Sequence, residues 1–196
     1  TSLTDIASGS GGFAINGQTG DDQQGTSVSS AGDVNGDGLA DLIVGAKFHD
    51  AAGSDAGRSY VIFGTTDGTA INLTSIASGT GGFAIDGQTA SDQSGTSVSS
   101  AGDINGDGLG DLIISSHLND AGGTDAGRSY VVFGQTGTTA ISLSAIAAGT
   151  GGFVINGQCA SDSSGRSVAS AGDVNGDGLS DLIVGAYKSD PASGTD

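Results

Sequence analysis

The sequence predicts an all-β protein built as a tandem array of four-stranded antiparallel units. Three observations predict it. A single motif set recurs through nearly the whole chain of 196 residues. Short β-branched runs alternate with clusters of Gly, Asn, Asp and Ser. The composition holds 38 Gly and a single Pro, which supplies many tight turns.

The period comes first because it organises the rest. Phe13, Phe83 and Phe153 each follow Gly-Gly and stand 70 residues apart, since 83 − 13 = 70 and 153 − 83 = 70. Asp33, Asp103 and Asp173 keep that spacing and sit in the near-identical segments AGDVNGDGLADLIVGA, AGDINGDGLGDLIISS and AGDVNGDGLSDLIVGA. Within a unit, strands are expected near residues 13–16, 26–31, 41–46 and 58–63. Residues 71–77 are the best helical candidate, short and followed by a Gly-rich loop. The count comes to about eleven strands, three blade-like sheets with one strand missing. Residues 1–24 read as the end strand of a preceding blade, 25–94 and 95–164 as two repeats, and 165–196 as a partial third. Such units suggest the blades of a β-propeller with an incomplete ring, a linear β-repeat stack being the alternative.

Charge narrows the function. All 22 acidic residues are Asp, only five Lys or Arg oppose them, and the net charge is −17. That balance repels nucleic acid and anionic membranes and favours a cation. No apolar run is long enough to span a bilayer, and one Cys excludes an internal disulfide framework. The chain opens at Thr1 without Met, which predicts a processed product or a piece of something longer.

Each repeat carries Asp-x-Asn-x-Asp-Gly-Leu-x-Asp. The candidate metal ligands are Asp33, Asn35, Asp37, Leu39 and Asp41, then Asp103, Asn105, Asp107, Leu109 and Asp111, then Asp173, Asn175, Asp177, Leu179 and Asp181. Oxygens at loop positions 1, 3 and 5 can turn inward together, Gly at 6 permits the reversal, position 7 offers its carbonyl and the last Asp closes the cage. An all-oxygen set of this kind suits Ca²⁺, about one ion per repeat. The bidentate Glu of a helix-loop-helix hand is absent, with Val44, Ile114 and Val184 in its place, so the loop is expected to join two strands. Asn-Gly and Asp-Gly turns alone would account for residues 35–38. They leave Asp33 and Asp41 without a role on this reading.

With those residues in hand, the chain resembles the FG-GAP repeats of the integrin α-subunit β-propeller, in their bacterial tandem form. The matching elements are Gly25-Thr26-Ser27-Val28, Ala31 through Gly38, Asp41 through Ala46, and the strand ending Phe63-Gly64. The resemblance implies Ca²⁺ in all three loops. Departures occur where Gln24, Ser94 and Ser164 replace the family's Phe, where Lys47, His117 and Tyr187 replace its Pro, and where Ser115-Ser116 replaces Gly-Ala.

The remaining features point to no chemistry. Arg58 and Arg128 recur at one position and are expected to neutralise Asp or cap a strand edge. Cys159 is expected to be a small strand residue, since it replaces Thr19 and Thr89. No recurring Ser-His-Asp order, Glu or phosphate loop offers a catalytic group, so no enzyme is expected. The reading is a calcium-binding structural or adhesion module of an extracellular or cell-surface protein, partnered by copies of itself, further repeats, a surface protein or a glycan. A glycan-binding propeller lectin and the subunit of an extracellular fibre are the alternatives.

Overall fold

A computed structural model describes residues 2–66 and 68–190. The elements run α1 (Leu3–Ala7), β1 (Ile15–Asn16), β2 (Gln24–Gly32), β3 (Asp41–Ala46), β4 (Arg58–Ile62), β5 (Ile71–Asn72), α2 (Leu73–Ala77), β6 (Gly82–Asp86) and β7 (Val98–Gly102). They continue with β8 (Asp111–Ser116), β9 (Arg128–Val132), β10 (Ile141–Ser142), α3 (Leu143–Ala147), β11 (Gly152–Asn156), β12 (Ser164–Gly172) and β13 (Asp181–Ala186).

Two antiparallel meanders, β2-β3-β4-β6 and β7-β8-β9-β11, form two four-stranded blades, and β12-β13 begin a third. Among the described residues the ring is not closed. Among the described residues the strands number two more than the sequence expectation. The additional strands are β5 and β10, each two residues long and parallel to the outer strand of the preceding blade, Ile71 opposite Ile15 and Ile141 opposite Ile85. Each repeat therefore reaches back and covers the outer edge of its predecessor, where unpaired N–H and C=O groups would otherwise stand open.

The helical candidate at residues 71–77 resolves into β5 followed by the short helix α2. Leu73 and Ile76, three residues apart, bury on one side of it, as Leu143 and Ile146 do in α3. In α1, Ser2 and Asp5 form a capping box, with the Ser2 N–H donating to Asp5 Oδ2 at 2.7 Å.

Blades stack through their apolar faces. Ile43, Val61, Phe83 and Ile85 of the first blade meet Val98, Leu112, Ile114, Tyr130 and Val132 of the second in one buried cluster. Ile113 of the second blade meets Val168, Leu182 and Val184 of the third. Hydrogen bonds fix the register between blades. The Val98 N–H donates to Ser27 Oγ at 3.0 Å and the Val168 N–H donates to Ser97 Oγ at 3.1 Å.

Candidate functional site

The Asp-rich loops connect β2 to β3, β7 to β8 and β12 to β13, and all three share one bonding pattern. In the first, Asp33 Oδ1 accepts the N–H groups of Gly36 and Asp37 at 2.8 and 3.0 Å, and its Oδ2 accepts that of Gly38 at 2.9 Å. Asn35 Oδ1 accepts the same Asp37 N–H at 2.9 Å, which brings Asp33 and Asn35 side-chain oxygens onto one donor. Asp37 Oδ1 accepts the Leu39 N–H at 2.8 Å, and its Oδ2 accepts from Asn35 Nδ2 at 2.9 Å. Gly38 takes φ +86°, a backbone conformation that a side chain disfavours. Asp103, Asn105, Asp107 and Leu109 repeat the whole pattern, and Asp173, Asn175, Asp177 and Leu179 repeat its bonds to backbone N–H groups.

Asp41 bonds to a different pair of backbone donors. Its side chain is fully buried, with Oδ2 accepting the Val34 N–H at 2.8 Å and Oδ1 accepting the Gly64 N–H at 2.7 Å. Asp111 repeats this with Ile104 and Gly134. Asp181 accepts from Val174 at 2.8 Å. Burial raises the pKa of Asp41, and the neighbouring charges of Asp37 and Asp33 push the same way, against the two backbone donors. Burial raises that of Asp111 too.

These bonds revise one step of the sequence argument. Asp33 and Asp41 are not idle in the absence of a cation: each is consumed by backbone donors that would otherwise be unpaired. Among the described residues, no three acidic, His or Cys side chains converge closely enough to form a ready metal cluster. The chemistry of the donor set still fits a hard cation. Asp33, Asn35 and Asp37 lie on one tight loop, Asp33 Oδ2 and both Asp37 carboxylate oxygens each accept a single bond and keep a further lone pair, and the loop holds no His or thiolate.

Adjacent loops touch. The Asp33 carbonyl accepts the Gly110 N–H at 2.7 Å, across the boundary between the first two blades. The Leu109 side chain also lies 2.9 Å from where a Cβ on Gly36 would be. The three-residue signal Asp-x-Asn-x-Asp located the loops, but nothing in it pointed to Gly64 or Gly110 as partners.

Three segments of the chain were matched by one sequence family, residues 24–62, 94–132 and 164–196, each by the FG-GAP repeat. The chain belongs to the FG-GAP repeat family. The first and third matched FG-GAP segments begin at the first residue of β2 and of β12, and the second begins four residues before β7. Curated relatives include integrin alpha-4 of Xenopus laevis, 29% identical over 163 residues, integrin alpha pat-2 of Caenorhabditis briggsae, 32% over 180, and integrin alpha-5 of Xenopus laevis, 32% over 167. The matches cover 81–83% of this chain and only 13–14% of those proteins. No helix among the described residues is long and apolar enough to cross a membrane.

A second polar cluster recurs in the first two FG-GAP blades. Gln18 Oε1 accepts from Tyr60 Oη at 2.6 Å and from Arg58 at 3.3 Å, while Arg58 Nε donates to Asp86 Oδ1 at 2.6 Å. In the next repeat Gln88 receives Tyr130 and Arg128, and Arg128 donates to Asn156 at 2.7 Å. Both arginines thus brace strands within the fold. His49 lies 3.7 Å from Asp22, edge-on to Tyr60 and within 3.3 Å of Arg58. Its pKa is lowered by burial and by Arg58. Gln24 accepts the Gln18 N–H at 2.7 Å and donates to Asp22 at 3.0 Å, so its amide joins the start of β2 to the preceding bend. Cys159 departs from expectation: it is exposed and lies in a bend beyond β11, with its N–H donating to Asp162 Oδ2 at 3.1 Å.

Proposed function

We propose that this FG-GAP chain is a non-catalytic, calcium-binding module of an extracellular or cell-surface protein, and that its blades serve as a structural or adhesive surface. The observation that supports it is the threefold repetition of one loop conformation, in which the side chains of Asp33, Asn35 and Asp37 and of their counterparts are gathered on a single turn. Asp33, Asn35, Asp37, the Leu39 carbonyl and Asp41 would hold the ion in the first loop. Asp103 through Asp111 and Asp173 through Asp181 would do the same in the others. The ion would supply positive charge to a chain at −17. The residues themselves supply the oxygens and, through the Asp33 carbonyl and Gly110, a link by which a stiffened loop braces the next blade. The adhesive part of the reading rests on the integrin α relatives.

Calorimetric titration of chelator-stripped protein with CaCl₂ tests it, with about three ions expected per chain. Extracellular modules bind with Kd of about 10⁻⁴ to 10⁻³ M. At about 2 mM Ca²⁺ each site would then add about 0.6 to 1.8 kcal/mol, and the melting temperature would rise by roughly 5 to 20 °C in total. Absence of binding heat at millimolar Ca²⁺, together with an unchanged melting curve, refutes the reading.

A further inference from the structure

The peptide unit between Leu109 and Gly110 serves two Asp-rich loops at once. Its N–H donates to the Asp33 carbonyl of the first loop at 2.7 Å. The described peptide bonds are all trans, so the Leu109 carbonyl points the opposite way, away from Asp33. That carbonyl is the seventh-position oxygen of the second loop, and Asp33 is the first-position carboxylate of the first. One rigid amide thus carries an oxygen of one site and holds the residue that supplies an oxygen to the other.

Two further contacts run beside it. The Leu109 side chain lies against the first loop, where a Cβ on Gly36 would stand 2.9 Å from Leu109 Cδ2. Gly134, whose N–H is held by Asp111, packs on the Val34 carbonyl so closely that a Cβ there would stand 2.9 Å from that oxygen. Val34 is fully buried, and its own N–H is held by Asp41. The last Asp of each loop is therefore joined to the other through Val34 and Gly134, as the opening residues are joined through Gly110.

The amide link does not recur at the next boundary. Ser180 stands at the position of Gly110, and among the described residues its N–H makes no bond to the Asp103 carbonyl. A Cβ on Gly110 would lie 3.0 Å from the Ala31 carbonyl oxygen and 3.2 Å from the Asp33 nitrogen, so a side chain at this position holds the neighbouring loop away. The Ser180 side chain sits over Gly102 instead.

We infer that the first and second loops take up their cations cooperatively, and that the third fills independently of them. The inference rests on the calcium reading above and adds to it a coupling between sites. Holding the Leu109 carbonyl fixes its peptide and polarises the N–H, which strengthens the bond to Asp33. The first loop is then ordered before its own ion arrives and loses less entropy on binding. Repulsion between the two ions opposes this, and salt at about 0.15 M screens it beyond about 8 Å. The coupling is reciprocal, each loop gaining the same factor from the other, with about fivefold expected.

Titration of isotope-labelled protein with CaCl₂ in physiological salt, followed by NMR, is the test. The Gly38, Gly108 and Gly178 amides report the three loops separately, because each donates to the opening Asp of its own loop. Asp107→Asn removes the second site and is expected to weaken the first about fivefold while the third keeps its affinity. Asp37→Asn is expected to weaken the second by the same factor. Gly110→Ala leaves every proposed ligand in place, and in that background Asp107→Asn is expected to lose most of its effect on the first loop. Ala40 and Ser180 occupy the equivalent position in the other blades, and a melting curve in chelator confirms that the variant folds. A first-loop affinity that is unchanged or raised in Asp107→Asn, or a third loop weakened equally, overturns the inference and leaves the calcium reading standing. Amides that do not respond to millimolar CaCl₂ in any loop overturn both.

Discussion

The Asp41 carboxylate and the Gly64 N–H, 23 residues apart in sequence, meet at 2.7 Å and tie the start of β3 to the end of β4. The other Asp41 oxygen holds the Val34 N–H at 2.8 Å, so one buried side chain joins the Asp-rich loop to two strands. A residue that the ligand pattern marks as the closing metal ligand is thus also a structural staple.

Removing that staple leaves two backbone donors without acceptors. Asp41→Ala is expected to destabilise the protein by about 2 to 5 kcal/mol, since hydrogen bonds to a charged group are lost and buried polar groups are orphaned. Asp181→Ala, at a position only partly buried, is expected to cost less. Denaturant unfolding in the presence of chelator compares the two without any contribution from a bound ion.

Asp37 offers the opposite case. It is exposed, and Asn at that position keeps an oxygen for the Leu39 N–H while losing the charge. Asp37→Asn is expected to lower calcium stoichiometry by one while leaving chelator-state stability within about 0.5 kcal/mol of wild type. Titration calorimetry and unfolding on the same samples decide it; a full complement of ions in the variant contradicts the ligand assignment.

Acid weakens the fold at His117. Burial, reinforced by Arg166 and Lys47, lowers its pKa from 6.5 to about 4. The unfolded chain takes up a proton near pH 6.5 that the folded chain refuses until about pH 4, so this residue's contribution to stability falls as pH drops through that window. His117→Gln is expected to remove that part of the slope. The difference between wild type and variant across a pH series of denaturant melts isolates it from the titration of the Asp residues.

Gly57 tests how closely successive repeats approach. Its φ is +81°, and a Cβ there would lie 2.1 Å from the carbonyl oxygen of Ser94, in the segment that leads into the second blade. Gly57→Ala is expected to cost about 2 kcal/mol or more, combining left-handed backbone strain with a backbone clash. In a chain of this size that corresponds to roughly 4 to 8 °C in melting temperature. A calorimetric scan showing no shift contradicts the packing described.

The parts of the fold legible in the sequence are those written in local pattern. Short β-branched runs marked β3 and β4 to within a residue, and Asp-x-Asn-x-Asp-Gly marked the loops because each side chain bonds to amides two to five positions away. Relations across longer separations left no such trace. The parallel pairing of Ile71 with Ile15 involves strands of two residues, too short to show a period. The Tyr60 bond to Gln18 spans 42 residues and joins side chains that recur in any polar surface. The buried state of Asp41 was likewise hidden, because an Asp in a charged loop has the same letter whether it faces solvent or the core. Cys159 was misplaced because Thr, which it replaces, favours strands, while at this position Asp162 organises a bend.

The backward reach of β5 and β10 gives the array a direction of maturation. A blade's outermost strand gains its cover only after three strands of the following repeat have been synthesised, because β10 lies beyond β7, β8 and β9 as β5 lies beyond β2, β3 and β4, so during translation the newest blade is always the unhemmed one. Proteases and misfolding partners meet a single vulnerable border that travels along the nascent polypeptide, while everything behind it is already sealed.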